Sequence, residues 1–240
     1  MVAPAGAGPA RAAGRARSAV SRLVRAALDS AISEAEARSP GSVAALDAGC
    51  GRVSALEPFR ARIGRLVGAD IHPLAAPLPH LDEFVIADLC GSSSAFPDES
   101  FDVVLSSFTI EHFADPAAAL ANMRRWLRPG GVLVATTVNR RHPFVWAYLA
   151  VPSLLRGRAQ RLIKASAADA HPLVGACNSP ALLGAAAHAA GFSDVRLETV
   201  GHLERAWGRI AVGRWLGRLG DALAAPFASR RSTLVLVARR

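Results

Sequence analysis

The 240-residue chain is 51% hydrophobic and carries a formal net charge of +9. This length and apolar content are sufficient for the core of one substantial domain, and they exclude a chain that is disordered throughout. The longest apolar stretch, residues 143–155, is shorter than the roughly 20 residues that cross a bilayer, so no transmembrane helix is expected.

The positive charge lies mostly outside the centre of the chain. Residues 29–139 hold 14 acidic and eight basic residues, whereas residues 1–28 hold five arginines and no acid. Residues 201–240 hold eight arginines and two acids. Biased codon usage in an alanine-rich chain also produces such arginine, so the charge alone does not indicate nucleic acid; an anionic substrate or a membrane surface fits equally.

The three cysteines form no CxxC pair and have no histidine at metal-ligand spacing. This predicts neither a zinc site nor a disulfide framework, and it favours a cytoplasmic location.

In chain order, residues 1–17 are predicted to form a disordered basic tail, and residues 18–240 a single domain. Apolar residues at helical spacing predict a leading helix over 18–40, which ends at Pro40-Gly41. Short apolar runs that stop at glycine or aspartate predict buried strands at "SVAALDAG", "RLVGADIHP", "EFVIADLCG", "FDVVLSSF" and "GGVLVATTVN".

A helix is predicted between the fourth and fifth of these strands. Asp115 is suited to cap it, Pro116 to occupy its first turn, and Pro129-Gly130 to end it. One more helix, "SPALLGAAAHAAGF", precedes two final strands, "SDVRLETV" and "STLVLVARR". Buried strands that alternate with helices predict an α/β fold: a Rossmann-like, doubly wound, mostly parallel seven-stranded sheet with helices on both faces and a small helical cap.

Three aspartates, Asp47, Asp70 and Asp88, follow three successive predicted strands. In a parallel sheet their side chains meet at the edge where ligands bind. A dinucleotide loop needs G-x-G-x-x-G, but Ser54 occupies the last position, and an acid before the turn would repel a pyrophosphate.

S-adenosylmethionine fits an acid at this position, because it carries a positively charged ammonium and a sulfonium. Asp47 can attract the ammonium, Asp70 can accept both ribose hydroxyls, and Asp88 can accept from the adenine amine. Any one strand-end aspartate is often only a helix cap, but three in this order make coincidence much less probable.

At this point the sequence resembles the class I S-adenosylmethionine-dependent methyltransferases, in particular the small-molecule group that includes ubiquinone and menaquinone biosynthesis enzymes. The resemblance covers about residues 43–139 and rests on "LDAGCG", "VGADIHP", "IADLCG", "FPDESFDVVLSSFTIEHFADP" and "LRPGGVLVATTVN". It implies a cofactor-binding core at 43–139. The cofactor contacts that it implies come from Asp47, Gly49, Cys50, Gly51, Asp70, Ile71, Asp88 and Leu89, with Ser107 beside the methionine moiety.

The chain departs from this family at two places. Arg52-Val53 replaces the usual continuation of the glycine loop, which leaves the shape of that loop open. Some relatives hold a divalent metal through E-x-x-E-H after the fourth strand, but Phe108 occupies the first position here, so no metal is predicted.

His112 is the leading candidate for a general base, since histidine ordinarily titrates near neutral pH and this one follows a strand whose end is expected to face the cofactor. Alternatively, Glu111 and His112 only orient the loop and cap the next helix. His142 and His171 are poorer candidates.

The acceptor is expected to contact the regions that vary between such enzymes, here 140–180 and 201–230. In the second, Leu203, Trp207, Ile210, Trp215, Leu219 and Leu223 are predicted near one helical face, with arginines mostly elsewhere. This pattern suits a lid packed on the sheet, a lipophilic or anionic acceptor, or peripheral contact with a membrane surface.

Three functions follow from these observations. The leading one is methyl transfer from S-adenosylmethionine to a small-molecule acceptor. A second is binding or scaffolding on the same fold without catalysis, which the altered glycine loop favours. The third, nucleic-acid methylation, is disfavoured because "SSFTIEH" stands where base-amine methyltransferases carry an N-P-P-Y-type signature, and no nucleic-acid partner is expected.

Overall fold

We describe the fold from a computed structural model, in which residues 18–91, 95–151, 177–208 and 210–240 are described. The predicted basic tail and His171 lie outside these ranges, as does most of the predicted 140–180 region. The strands are β1 (Ala44–Ala48), β2 (Arg65–Asp70), β3 (Glu83–Ile86), β4 (Phe101–Ser107), β5 (Leu127–Val138), β6 (Ser193–Val200) and β7 (Thr233–Arg239).

These strands form one sheet in the order β3-β2-β1-β4-β5-β7-β6. The pairs among β1 to β5 are all parallel, and β7 is antiparallel to both of its neighbours. The order reverses between β1 and β4, so the loops that follow these two strands border the crevice where ligands bind in such sheets. The predicted α/β fold with its mostly parallel seven-stranded sheet is therefore confirmed.

Helices cover both faces of the sheet. Their bounds are α1 (Ala19–Arg38), α2 (Pro116–Trp126), α3 (Pro143–Ala150), α4 (Pro180–Ala189), α5 (Leu203–Ala206) and α6 (Ala211–Ala224). Short 3₁₀ turns lie at Glu57–Arg62, Ile110–His112 and Ala228–Arg230. Among the described residues, no helix combines the length and apolar character that crossing a membrane requires.

The predicted leading helix is present as α1, and its apolar stripe packs on one face of the sheet. Ser18 caps it, since its side chain accepts a hydrogen bond from the Ser21 N–H. Val24, Leu28 and Ile32 are buried against β4 and β5 residues. On the opposite face, α2 and α4 pack over a second apolar cluster that includes Trp126 and Leu183.

The end of α2 differs from the sequence expectation. Asp115 caps the helix through the Ala118 N–H, as predicted. However, the prediction that Pro129-Gly130 ends the helix is wrong, because the helix already ends at Trp126 and both residues lie within β5. The strand pairing shifts between Phe101 and Val103 of β4, and this irregularity accommodates a proline without a ladder hydrogen bond.

The prediction of one helical apolar face in the 201–230 region is also wrong, because this region forms two separate helices, α5 and α6. Leu203 on α5 is buried, whereas Trp215, Leu219 and Leu223 on α6 are exposed. Instead, α6 packs through its small residues, Gly213, Gly217, Gly220 and Ala224. A Cβ added at Gly217 would lie 2.6 Å from the Leu203 carbonyl oxygen, so only glycine permits this close contact.

Candidate cofactor and active site

The glycine loop begins where β1 ends. Gly49 and Gly51 have φ angles of +82° and +52°, a region that glycine adopts readily and other residues rarely. The N–H groups of Gly49 and Cys50 both donate to the Ala69 carbonyl at the end of β2, at 2.7 and 3.1 Å. The loop is therefore held across the ends of two neighbouring strands.

Gly49 is also required by a close neighbour. A Cβ at this position would lie 2.3 Å from Thr109 Cγ2, whereas one at Gly51 would meet nothing within 4 Å. Thr109 follows β4, and its hydroxyl donates to the Gly49 carbonyl at 3.4 Å. The first glycine thus joins the loops after β1 and β4, and the second leaves open space.

Asp47 is the carboxylate at the base of this loop. It is 2% exposed, and its Oδ2 has no hydrogen-bond partner in the described structure. Burial raises the pKa of Asp47 to about 7, and the negative charge of Asp70 adds to this effect, while a hydrogen bond from Ser54 opposes it. A buried carboxylate without a full set of partners is an arrangement that a cationic group would stabilise.

Asp70 ends β2 on the other side of the loop, and Ile71 follows it. Asp70 accepts hydrogen bonds from the N–H of Gly51 at 3.2 Å and the N–H of His72 at 3.0 Å. Its carboxylate is partly exposed, so each oxygen keeps a lone pair available for a hydroxyl donor. The Ile71 side chain is 58% exposed and provides an apolar surface next to it.

Asp88 and Leu89 lie beyond the end of β3. The exposed Asp88 carboxylate accepts from the Cys90 N–H at 2.9 Å, and Leu89 is buried. Asn122 of α2 donates to the Leu89 carbonyl at 2.9 Å, which fixes this segment against the helix. The predicted aspartates therefore lie at or just beyond the carboxyl ends of β1, β2 and β3, which are adjacent in the sheet.

The end of β4 and the loop after it carry the remaining predicted residues. Ser107 Oγ lies 3.4 Å from Thr136 Oγ1 on β5. Phe108 has a φ of +53°, and its N–H donates to the Thr136 carbonyl at 2.9 Å. A non-glycine residue in this strained conformation turns the chain sharply away from the strand.

Glu111 and His112 follow in a 3₁₀ turn. Glu111 is 3% exposed, and its carboxylate accepts a hydrogen bond from Thr137 Oγ1 at 2.8 Å. This contact anchors the turn to β5. His112 is half-buried at the end of the same turn.

His142 is fully buried and caps α3. Its Nδ1 accepts from the N–H groups of Phe144 and Val145, and its Nε2 lies 4.0 Å from Asp221 Oδ1. Burial lowers the pKa of His142, which favours the neutral ring that this capping requires. The observed contacts of His142 are thus structural.

One histidine near the site carries no sequence signal. His202 stacks on Phe108 with ring centroids 5.6 Å apart, and its backbone N–H donates to Ser232 Oγ at 2.7 Å. Its Nδ1 is buried without a partner in the described structure, and burial lowers the pKa of the ring, with Asp221 opposing this and Arg205 adding to it. A neutral imidazole therefore stands over the residue that follows Ser107.

Cys50 lies within the glycine loop but is not suited to nucleophilic chemistry. Burial raises the pKa of its thiol to about 12, and the charges of Asp47 and Asp70 contribute to this, so the reactive thiolate is absent near neutral pH. Among the described residues, no group of three or more histidine, cysteine or acidic side chains is arranged to hold a metal.

Residues 46–135, which contain this loop and the three strand ends, match the family model described as a methyltransferase domain. This segment is therefore similar to a methyltransferase domain. A ubiquinone biosynthesis O-methyltransferase of Cereibacter sphaeroides (strain KD131) is 38% identical over 102 residues, which cover 40% of this chain and 41% of that relative. The ubiquinone biosynthesis O-methyltransferase of Cereibacter sphaeroides strain ATCC 17025 is 40% identical over 102 residues, which again cover 40% of this chain and 41% of that relative. The match thus spans less than half the length of these relatives.

Solved structures resemble more of the chain. A SAM dependent methyltransferase from Archaeoglobus fulgidus matches 92% of this chain and 94% of its own with a TM-score of 0.53 and 19% identity. The [4+2]-cyclase SpnF matches 95% of this chain and 84% of its own with a TM-score of 0.57 and 18% identity. At these identities the likeness shows the fold of the chain, and no more.

Proposed function

We propose that this chain binds S-adenosylmethionine and transfers its methyl group to a small-molecule acceptor. The observation that carries the proposal is the unpartnered Asp47 Oδ2, buried directly before a glycine loop with two positive φ angles. In the described structure nothing neutralises this oxygen, and the ammonium of the cofactor is a group of the right charge to do so.

The other cofactor contacts follow from the positions of the predicted residues. Gly49, Cys50 and Gly51 let the backbone approach the methionine and ribose part, and Asp70 accepts from the ribose hydroxyls. Ile71 and Leu89 offer apolar contacts to the adenine, and Asp88 accepts from its amine. Ser107, at the end of β4, would lie beside the methionine moiety.

When bound, the cofactor supplies an electrophilic methyl group. The chain itself orients the acceptor and excludes water, and much of the acceleration of an in-line displacement can come from this positioning. His112 is the proposed base where the acceptor must lose a proton. Glu111 is the positioning residue that holds its turn, through the contact with Thr137.

His202 is a second candidate for the base. A lowered pKa keeps its ring neutral at pH 7, as proton acceptance requires, and its stacking on Phe108 brings it near the end of β4. Replacing each histidine in turn with glutamine distinguishes the two. Replacing the proton acceptor should abolish the corresponding limb of the pH profile of kcat, whereas replacing the other histidine should change only KM.

Calorimetric titration with S-adenosylmethionine and S-adenosylhomocysteine tests the proposal. Both ligands carry the ammonium, so Asp47→Asn should weaken both by about tenfold or more. Asp194→Asn is the matched control. Asp194 is an exposed aspartate on the edge strand β6, away from the glycine loop, and asparagine tolerates its φ of +39°. Failure of the unsubstituted protein to bind either ligand would refute the proposal.

Binding without methyl transfer to any acceptor would support the alternative of a non-catalytic binding protein. The fold likeness to a protein described as a cyclase is consistent with other uses of this architecture. Nucleic-acid methylation stays the least favoured alternative, and salt-sensitive binding to mixed RNA or DNA would revive it.

The proposal includes a cytoplasmic location with peripheral contact at a membrane surface. The three cysteines are free thiols, which suits a reducing compartment. The exposed face of α6 carries Trp215, Leu219 and Leu223, with Arg214 on the same helix. An apolar helix face with arginine beside it is typical of contact with anionic lipids.

A further inference from the structure

An open pocket of about 570 Å³ lies beyond the end of β5. Three arginines line it, Arg140, Arg141 and Arg230, and none of the described residues in its wall is acidic. The first two directly follow β5, and Arg230 belongs to the 3₁₀ turn before β7. Since β7 is antiparallel to β5, its beginning lies at the sheet edge that carries the cofactor loops.

Asn139 links two segments of the pocket wall, those of Arg141 and Arg230. It is fully buried, and its Nδ2 donates to the carbonyls of Ser229 at 3.0 Å and Arg231 at 2.7 Å, on either side of Arg230. Its Oδ1 accepts from the Arg141 N–H at 3.0 Å. The arginines thus stand on a fixed backbone, although their side chains are exposed.

The start of α4 is tied to the same framework. The Arg140 N–H donates to the Asn178 carbonyl at 2.8 Å, and the next residue, Ser179, caps α4 and lines the pocket. Pro143 at the start of α3 lines it too. Two helix N-termini therefore add their partial positive charges to those of the arginines.

The pocket also has an apolar side. Trp146 of α3 is 63% exposed and Leu182 of α4 is 49% exposed, and both belong to its wall. An arginine cluster next to exposed apolar side chains suits a ligand that has an anionic group attached to an apolar body.

The geometry points to an anion subsite for the acceptor, in which Arg141 and Arg230 bind a carboxylate or phosphate and Trp146 contacts the adjoining apolar part. This inference rests on the proposed function for its meaning, because it names the class of acceptor. The ends of β5 and β1 are two strand spacings, or about 10 Å, apart, which a small acceptor spans.

Titration with phenyl phosphate and with benzoate, without cofactor, tests the subsite and distinguishes the two anions. We expect the unsubstituted protein to bind at least one of them. The double variant Arg141→Gln/Arg230→Gln should bind it about tenfold more weakly or worse, since two charge-assisted contacts are lost. Phenol, which lacks the anionic group, should bind with equally low affinity to the unsubstituted protein and to the double variant.

A second double variant controls for the loss of net charge. Arg65→Gln/Arg196→Gln also removes two exposed arginines, but from the strands β2 and β6 and away from the pocket. The subsite is refuted if this control loses as much affinity, if the pocket variant loses none, or if no heat is seen up to about 10 mM of either anion.

Cofactor titration of the same proteins separates this inference from the proposed function. Both double variants should bind S-adenosylhomocysteine within about twofold of the unsubstituted protein, because the arginines lie outside the cofactor loops. Loss of anion binding with intact cofactor binding therefore refers to the subsite alone. Failure of all proteins to bind the cofactor would refute the proposed function and leave an anion site of another purpose.

Discussion

Asp47 makes cofactor affinity dependent on pH. Its carboxyl has a pKa of about 7 in the unliganded protein, because it is buried, and it must be ionised to bind an ammonium. The affinity for S-adenosylhomocysteine should therefore be constant above pH 7 and should fall by up to about tenfold per pH unit below it. Calorimetry from pH 5.5 to 8.5 measures this dependence.

The same pKa shift affects stability with the opposite sign. A carboxyl whose pKa is raised on folding takes up a proton on folding between about pH 4 and 7, so its contribution to the free energy of unfolding falls as pH rises through this range. Above pH 7 the full penalty applies. The unliganded Asp47→Asn variant should thus melt about 3 °C higher at pH 8, and an unchanged or lower Tm would contradict this account.

Gly49 and Gly51 differ in what a side chain would meet. Gly49→Ala places a Cβ 2.3 Å from Thr109 in addition to its positive φ, and should lower the free energy of unfolding by about 2–4 kcal/mol. Gly51→Ala meets open space and should cost only about 1 kcal/mol of backbone strain. Urea unfolding of both variants provides the comparison, and equal losses would show that the Thr109 contact is unimportant.

At the level of single residues, the sequence predicted that the three aspartates lie at strand ends, but it did not predict the position of His202. Each aspartate ends an apolar run, and the parallel arrangement brings such ends to one edge, so pattern alone locates them. His202 lies in a loop without periodicity, and its position over Phe108 depends on the hydrogen bond to Ser232, 30 residues later. No local pattern encodes such a contact.

Among the elements, α6 should provide the membrane contact of the proposed function. Its exposed Trp215 and Leu219 would enter the lipid interface, and Trp215→Ser/Leu219→Ser should lower binding to anionic vesicles by at least about tenfold. Vesicle sedimentation with phosphatidylglycerol measures it. Ile86→Ser, which removes a 60% exposed apolar side chain from β3, should leave binding unchanged.

The unsubstituted protein also has to bind these vesicles more strongly than vesicles of neutral lipid. Equal binding of the helix variant and the unsubstituted protein would contradict the assignment to α6. No binding at all would remove membrane contact from the proposed function and leave the cofactor site unaffected.

The sequence predicted which elements form better than it predicted where they end and which way they face. The buried strands β1, β2, β4 and β5 are apolar runs, so they are recognisable one by one. The run at β3 also predicts a strand, but the prediction that it is buried is wrong, because β3 lies at the edge of the sheet and is partly exposed. Pro129-Gly130 is a strong helix-ending signal, yet these residues sit in an irregular part of β5. The apolar spacing in α6 indicates a face, but the close approach of Gly217 to Leu203 turns that face outwards.

Over the whole molecule, these packing differences predict uneven stability. The buried residues of α1 include Val24, Leu28 and Ile32, whereas those of α6 are glycines and one alanine. The apolar area that holds α6 is therefore small, and local opening should cost less free energy there. Amide hydrogen exchange should be at least about tenfold faster in α6 than in α1 in the unliganded protein.

Cofactor binding should protect only part of the chain further. S-adenosylhomocysteine should slow exchange in the loops at 49–51, 70–72 and 88–91, because their N–H groups lie at the proposed contacts, and should leave α6 unchanged. If α6 became protected as well, the helix would have to close over the cofactor, and its exposed face would then belong to a lid and not to a membrane contact. The exchange pattern therefore distinguishes the two roles of α6 in one measurement.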